Sequence, residues 1–130
     1  MGLTGFIDAI TDRLVALTGR AYYGETIDPN VKIPYTYWKY ASTVDIEDLE
    51  DFIIEVDVID HGPDCTSIEG IVAAIDGDGS KTSPSGMNYW QYGTGSRPTF
   101  RCYRINRLSL PSGDEFLVRR QLRYRVRTYL

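Results

Sequence analysis

The chain is short of the residues that carry most chemistry. Its 130 residues include one histidine, two cysteines and two methionines. A lone imidazole, with no nucleophile motif around a serine or cysteine, leaves little for acid–base or covalent catalysis, so an enzyme is not expected. Cys65 and Cys102 stand far apart and match no metal-ligand spacing. Buried free thiols in a reducing compartment are one reading and a single disulfide is the other. No apolar run approaches the roughly 20 residues of a membrane-spanning helix, and no membrane contact is expected. The opening MGLTGFIDAITDRL lacks the basic region and small-residue cleavage site of a secretory signal. No internal repeat is present. At this length one domain, residues 1–130, can bury a core without metal or disulfide support.

Basic residues are also scarce in one half. Up to Asp78 there are 16 acidic and 4 basic side chains; from Gly79 onward there are 2 acidic and 10 basic. The net charge of −4 therefore hides an acidic half and a basic half. Such halves pair internally or against identical copies, and unlike patches meeting head to tail close into rings when the rotation permits.

The clearest pattern is EFLVRRQLRYRVRTYL, Glu115 to Leu130. From Arg119 it alternates: Leu122, Tyr124, Val126 and Thr128 share one side of an extended chain. Arg119, Gln121, Arg123, Arg125 and Arg127 share the other. Period two is the signature of a strand, here with a dry face and a basic ridge. Phe52 to Asp60 alternates likewise, with Phe52, Ile54, Val56 and Val58 opposite Glu55 and Asp57. Tyr35 to Ala41 is an aromatic strand opened by Pro34, and Phe100 to Leu110 is a further strand. A turn at Pro111–Gly113 makes it a hairpin with the last. Thr43 to Asp51 reads as an acidic connection with one helical turn at most.

Leu3, Phe6, Ile7, Ile10, Leu14 and Leu17 have helical spacing, and Gly19 suits a helix end, which predicts a helix over Leu3–Thr18. Ile68, Ile71, Val72 and Ile75 give a second helix, opened by a Thr66–Glu69 capping box and closed at Gly77. Arg20 to Pro34 reads as irregular connection. Residues 76–98 form a long Gly- and Ser-rich loop, either functional or mobile until bound. Tyr89, Trp90 and Tyr92 near its end suit an interface. The order predicts an α+β domain: a four-stranded, largely antiparallel sheet (a mixed sheet left open), with two helices on one face and a long loop before the terminal hairpin.

Motif searches return no cofactor or metal site. GDGSKT at Gly77–Thr82 has Ser80 where a phosphate loop needs glycine, and a turn explains it. Asp76, Asp78 and Ser80 start like a calcium loop, but Lys81 replaces its glycine and no acid closes it. His61 with Asp60, Asp64 and Cys65 matches no ligand pattern; a strand-to-helix junction with a capping Asp accounts for it. The arginine ridge has two readings: phosphate contact, or cross-strand pairing with Glu55 and Asp57, extended to pairing between subunits. An acidic chain with no other basic cluster favours the second.

The helix followed by PYTYW, FIIEVDVID, IVAAIDG and RRQLRYRVRTYL resembles the tail terminator proteins of long-tailed bacteriophages. These are also called tail completion or tail-to-head joining proteins. The resemblance follows the order of elements over almost the whole chain, rests on no catalytic signature, and carries nothing over to residues 76–98. It implies a virion protein assembled in the bacterial cytoplasm. Its hexameric ring caps the tail tube, ends polymerisation and docks the tail on the head connector, with DNA passing through later. The implied partners are copies of itself, the tube protein and the connector. The interface residues then expected are Arg119, Arg123, Arg125, Arg127, Glu55, Asp57, Tyr89, Trp90 and Tyr92. A tail tube or connector-adaptor subunit and a nucleic-acid-binding module are the alternatives.

Overall fold

A computed structural model describes residues 3–24, 32–46, 49–62, 64–93, 99–114 and 116–128. The expected connection around Pro29 and Asn30, Pro63, the loop end at 94–98 and Glu115 lie outside these residues.

Helix α1 spans Leu3–Thr18, as its apolar spacing predicts. Phe6, Ile10 and Leu14 are buried on one face. Gly19 ends it at φ 87°, where only glycine is unstrained, and donates its N–H to the Val15 carbonyl at 2.8 Å. The indole N–H of Trp38, a fully buried residue, donates to the Thr11 hydroxyl at 3.0 Å and fixes α1 across the sheet. Helix α2 spans Thr66–Asp76. The expected capping box does not form: Cys65 is the N-cap, and its side chain does not cap the helix. Asp64 instead accepts from the Thr66 N–H at 2.9 Å, and Glu69 turns away to Arg120.

The sheet corrects the four-stranded expectation. It is six-stranded and mixed, curled as a half-barrel, in the order β1-β2-β3-β6-β5-β4. The strands are β1 (Ala21–Tyr23), β2 (Tyr35–Ile46), β3 (Leu49–His61), β4 (Gln91–Tyr92), β5 (Phe100–Leu110) and β6 (Leu117–Thr128). The α+β class holds. The two extra strands have three and two residues, too few to show a period, and both sit among Gly-rich stretches at the sheet edges. β1 runs parallel to β2, so part of the expected irregular connection at Arg20–Pro34 is ladder. Thr43–Asp51 is not a connection with a helical turn either. Residues 43–46 belong to β2 and 49–51 to β3, paired with Ile46 opposite Leu49, while residues 47 and 48 lie outside the described residues. A bulge between Tyr40 and Ser42 breaks the alternation there, and acidic residues mask strand character.

The remaining neighbours are antiparallel: β3 with β6 from Asp51↔Arg127 to His61↔Leu117, and β6 with β5 as the expected hairpin. Alternation places Trp38, Ile54, Val56, Val58, Phe100, Cys102, Leu122, Tyr124 and Val126 on one face, all buried. Ile10 and Leu14 of α1 and Ile68, Val72 and Ile75 of α2 pack on that face. Emptying the Trp38 site by alanine would cost about 3–5 kcal/mol. Both cysteines are free; burial pushes the Cys102 thiol far up, so it stays protonated. Among the described residues no helix is long and apolar enough to cross a membrane, and no metal-binding cluster is present.

Candidate assembly surface

Neither helix covers the second face of the sheet, and β6 runs through its middle. Cross-strand register arranges this face in rows. Tyr37, Asp57, Gln121 and Leu108 make one row; Lys39, Glu55, Arg123 and Asn106 make the next. Arg119 reaches diagonally to Asp57, its Nη2 2.9 Å and its Nε 3.0 Å from Oδ1. Gln121 Nε2 bridges the two acids, donating to Glu55 at 3.0 Å and to Asp57 at 3.2 Å. The pairing of arginines with Glu55 and Asp57 is thus present within one subunit.

Asp57 is fully buried although no helix covers it. A buried carboxylate is tolerated only when paired and hydrogen-bonded, and Arg119 with Gln121 does both. The Arg119 guanidinium is partly buried, which alone lowers its pKa; the Asp57 bond and charge outweigh that and leave it raised. Burial, then the Asp57 charge, pushes the Tyr37 phenol up. The Arg123–Glu55 contact is looser. At 3.8 Å it is an ion pair and not a hydrogen bond, and the buried Arg123 Nε has no hydrogen-bond partner among the described residues.

Toward the end of β6 the character changes. Arg125 lies between Ile53 and Tyr103, and Arg127 lies opposite Arg101. Both Arg125 and Arg127 are exposed. On the other side of Arg127 the ladder position is Asp51, so this row carries an acid as well as a second base. Tyr89, held at φ 69°, stands edge-on to Tyr103 at 6.2 Å, with the Arg101 guanidinium 5.9 Å from its ring.

The three expected aromatics do not form one patch. Tyr89 joins the basic row, whereas Trp90 and Tyr92 lie on the helix side against Phe100, at 5.4 and 5.2 Å between rings. With Gly5, Asp8, Ala9, Asp12 and Arg13 of α1 they line a groove of about 480 Å³.

The segment from Gly77 to Gly93 lies on the fold, with Met87 and Asn88 buried. The Met87 and Asn88 N–H groups donate to the Ile75 and Asp76 carbonyls at 2.6 and 3.2 Å. A Cβ on Gly86 would collide with the Ile75 carbonyl and the Gly77 nitrogen, so the close approach needs glycine. Asp76 anchors this region: its carboxylate accepts from Tyr124 OH at 3.0 Å and from Arg104, whose own N–H donates to Asn88 Oδ1 at 3.0 Å. The GDGSKT stretch is a turn, with Asp78 accepting from the Ser80 N–H at 3.0 Å. Sequence reasoning missed Asp76, Arg104 and the Glu69–Arg120 pair (2.7 Å). The available signal was Arg120 itself, a charge on the dry face of β6, which requires a partner from a covering element.

No protein-family model matches the chain, and no curated protein sequence matches it.

Proposed function

We propose that this protein is a structural subunit of a long-tailed bacteriophage. As a ring, it caps the tail tube, ends tube polymerisation and joins the tail to the head connector. The observation that carries the reading is the division of the helix-free face of the sheet. At Glu55, Asp57, Arg119 and Gln121 the charges are answered within the subunit. Toward its end β6 exposes two guanidinium groups, Arg125 and Arg127, two residues apart on this face. Self-answered charge holds a fold together, whereas exposed basic charge at a surface favours a contact with something acidic, and the acidic half of another copy supplies it. The likeness of PYTYW, FIIEVDVID and RRQLRYRVRTYL to tail terminators gives that assembly its place, in the virion at the head-proximal end of the tail.

The experiment is electron microscopy of particles from phage with this gene deleted. Over-long tubes support a terminator. Absent tubes indicate a tube subunit, and normal tubes that fail to join heads indicate a connector adaptor. The same basic row favours nucleic-acid contact as a second reading. That reading expects duplex binding with a steep salt dependence that R125E and R127E remove.

A further inference from the structure

The register of the sheet gives its two edges matching steps. On one edge β1 lies beside the start of β2, at Thr36 to Trp38. β2 then runs on to Ile46 with no outer neighbour among the described residues. On the other edge β4 lies beside Phe100 and Arg101 at the start of β5. The backbone of Cys102 and the Arg104 N–H still find partners at Tyr89, Trp90 and Asn88. From Ile105 to Leu110, β5 has β6 as its one strand neighbour among the described residues. Followed across the ladders, Thr36–Trp38 stand level with Arg107–Ser109, and Val44 stands level with Arg101. One edge therefore projects by a strand, β1, where the other is recessed. At the level of Val44 the reverse holds, because β4 projects and β2 has no outer neighbour.

An unpaired strand edge with apolar side chains is a template for another strand. Tyr22 and Tyr23 on β1, with Tyr92, Ile105 and Leu108 on β4 and β5, are most of the large apolar side chains that the described residues expose. One row of the helix-free face runs Tyr22, Tyr37, Asp57, Gln121, Leu108, so it begins and ends on an exposed apolar residue. Strand direction selects what completes it. β1 runs with β2, and three antiparallel steps make β2 run opposite to β5. A copy rotated about an axis along the strands thus presents β1 antiparallel to β5, the more stable of the two ladders. Two-fold pairing of β5 with β5 would leave the tyrosines of β1 unused.

We infer that β1 of one copy enters beside Ile105–Leu110 of a second copy as an antiparallel strand, with Tyr22 opposite Leu108, joining the sheets of neighbours edge to edge. β4 of the receiving copy then stands beside the outer edge of β2 of the entering copy. The two edges differ, so the contact is heterologous. Each copy gives β1 to one neighbour and receives β1 from another, until a ring closes. The inference rests on the ring reading and specifies which surfaces the ring uses.

The test is oxidation of the full-length Y22C/L108C variant, followed by non-reducing electrophoresis. Residues directly opposite in an antiparallel pair have Cβ atoms about 4.5–5.5 Å apart, close to the reach of a disulfide. The double variant should give a ladder of cross-linked oligomers, and Y22C or L108C alone should match the wild type, which carries only Cys65 and Cys102. Dimers specific to either single variant indicate two-fold pairing of like edges and overturn the inference, as does a double variant that gives no ladder. Sedimentation velocity of Y22D and L108D supplies a second arm. Each should weaken self-association by at least about 10-fold, because a charge then enters the shared edge. Circular dichroism should show both folded, since Tyr22 and Leu108 are exposed. An equal mixture should form dimers and stop there, through the intact β5 of Y22D and the intact β1 of L108D. Association indifferent to either substitution, or a mixture that stays monomeric, overturns the inference. Tube capping without the 22–108 cross-link removes the inference and leaves the proposed function standing. Cross-linked rings that cap no tube remove the proposed function and leave the inference standing.

Discussion

Replacing Arg119 by methionine keeps most of the side-chain volume and removes the charge facing Asp57. Asp57 is fully buried; its Oδ1 accepts a hydrogen bond from Arg119 Nε at 3.0 Å and lies 2.9 Å from Arg119 Nη2 in an ion pair. In R119M only Gln121 Nε2 still reaches that carboxylate, at 3.2 Å. Breaking a buried pair by removing one partner costs about 3–5 kcal/mol. Arg119 is 26% exposed and Gln121 remains, so the expected loss falls below that range, about 2–3 kcal/mol. D57N leaves a cation with access to water and should lose less, about 1–2 kcal/mol. Urea unfolding followed by tryptophan fluorescence, extended to the double variant, gives a coupling of about 1–3 kcal/mol. A partly buried pair is weakly screened, so salt should change these values little. An R119M stability within about 0.5 kcal/mol of wild type, the range of ordinary surface changes, would refute the dependence of Asp57 on its arginine.

D76A removes the acceptor of Tyr124 and Arg104 together, leaving a buried phenol unpaired; urea unfolding should show a loss of about 2–4 kcal/mol. G86A places a Cβ into the Ile75 carbonyl and should cost more than about 2 kcal/mol, with faster hydrogen exchange at Met87 and Asn88. Burial, with a smaller contribution from Tyr23, pushes the Tyr40 phenol up to about 12, and burial and Asp76 push Tyr124 up too. A folded pKa above the unfolded value near 10 means that this stability is complete below pH ~10 and is lost as pH rises through the folded value. Tyrosinate absorbance should therefore show these groups titrating last, together with unfolding; free titration of all tyrosines near pH ~10 in the folded protein contradicts it.

Much of this was legible in the chain. The bounds of α1 follow from its apolar spacing and Gly19, and β6 is written in its alternation. The pairing of Asp57 with an arginine of β6 followed from opposite charges on the polar faces of two strands. What was not legible depends on contacts distant in sequence. β1 and β4 are strands only because β2 and β5 offer them edges, and no three- or two-residue stretch announces that. The outer ends of β2 and β3 were hidden because acids and a bulge break the apolar rhythm where the two strands still pair. Trp90 and Tyr92 parted from Tyr89 because that residue takes a left-handed backbone conformation and turns the chain over the sheet edge. Thr66 and Glu69 have capping-box spacing, but Arg120 binds Glu69 more strongly than an N-cap N–H would.

The central claim is that the protein closes tube growth as a ring at one end. Electron microscopy of gold-labelled protein added to purified, unterminated tail tubes tests it most directly. The account predicts label at a single end of each tube and no further lengthening when tube protein is supplied. Label distributed along the tubes, or tubes that continue to grow past the label, would contradict it.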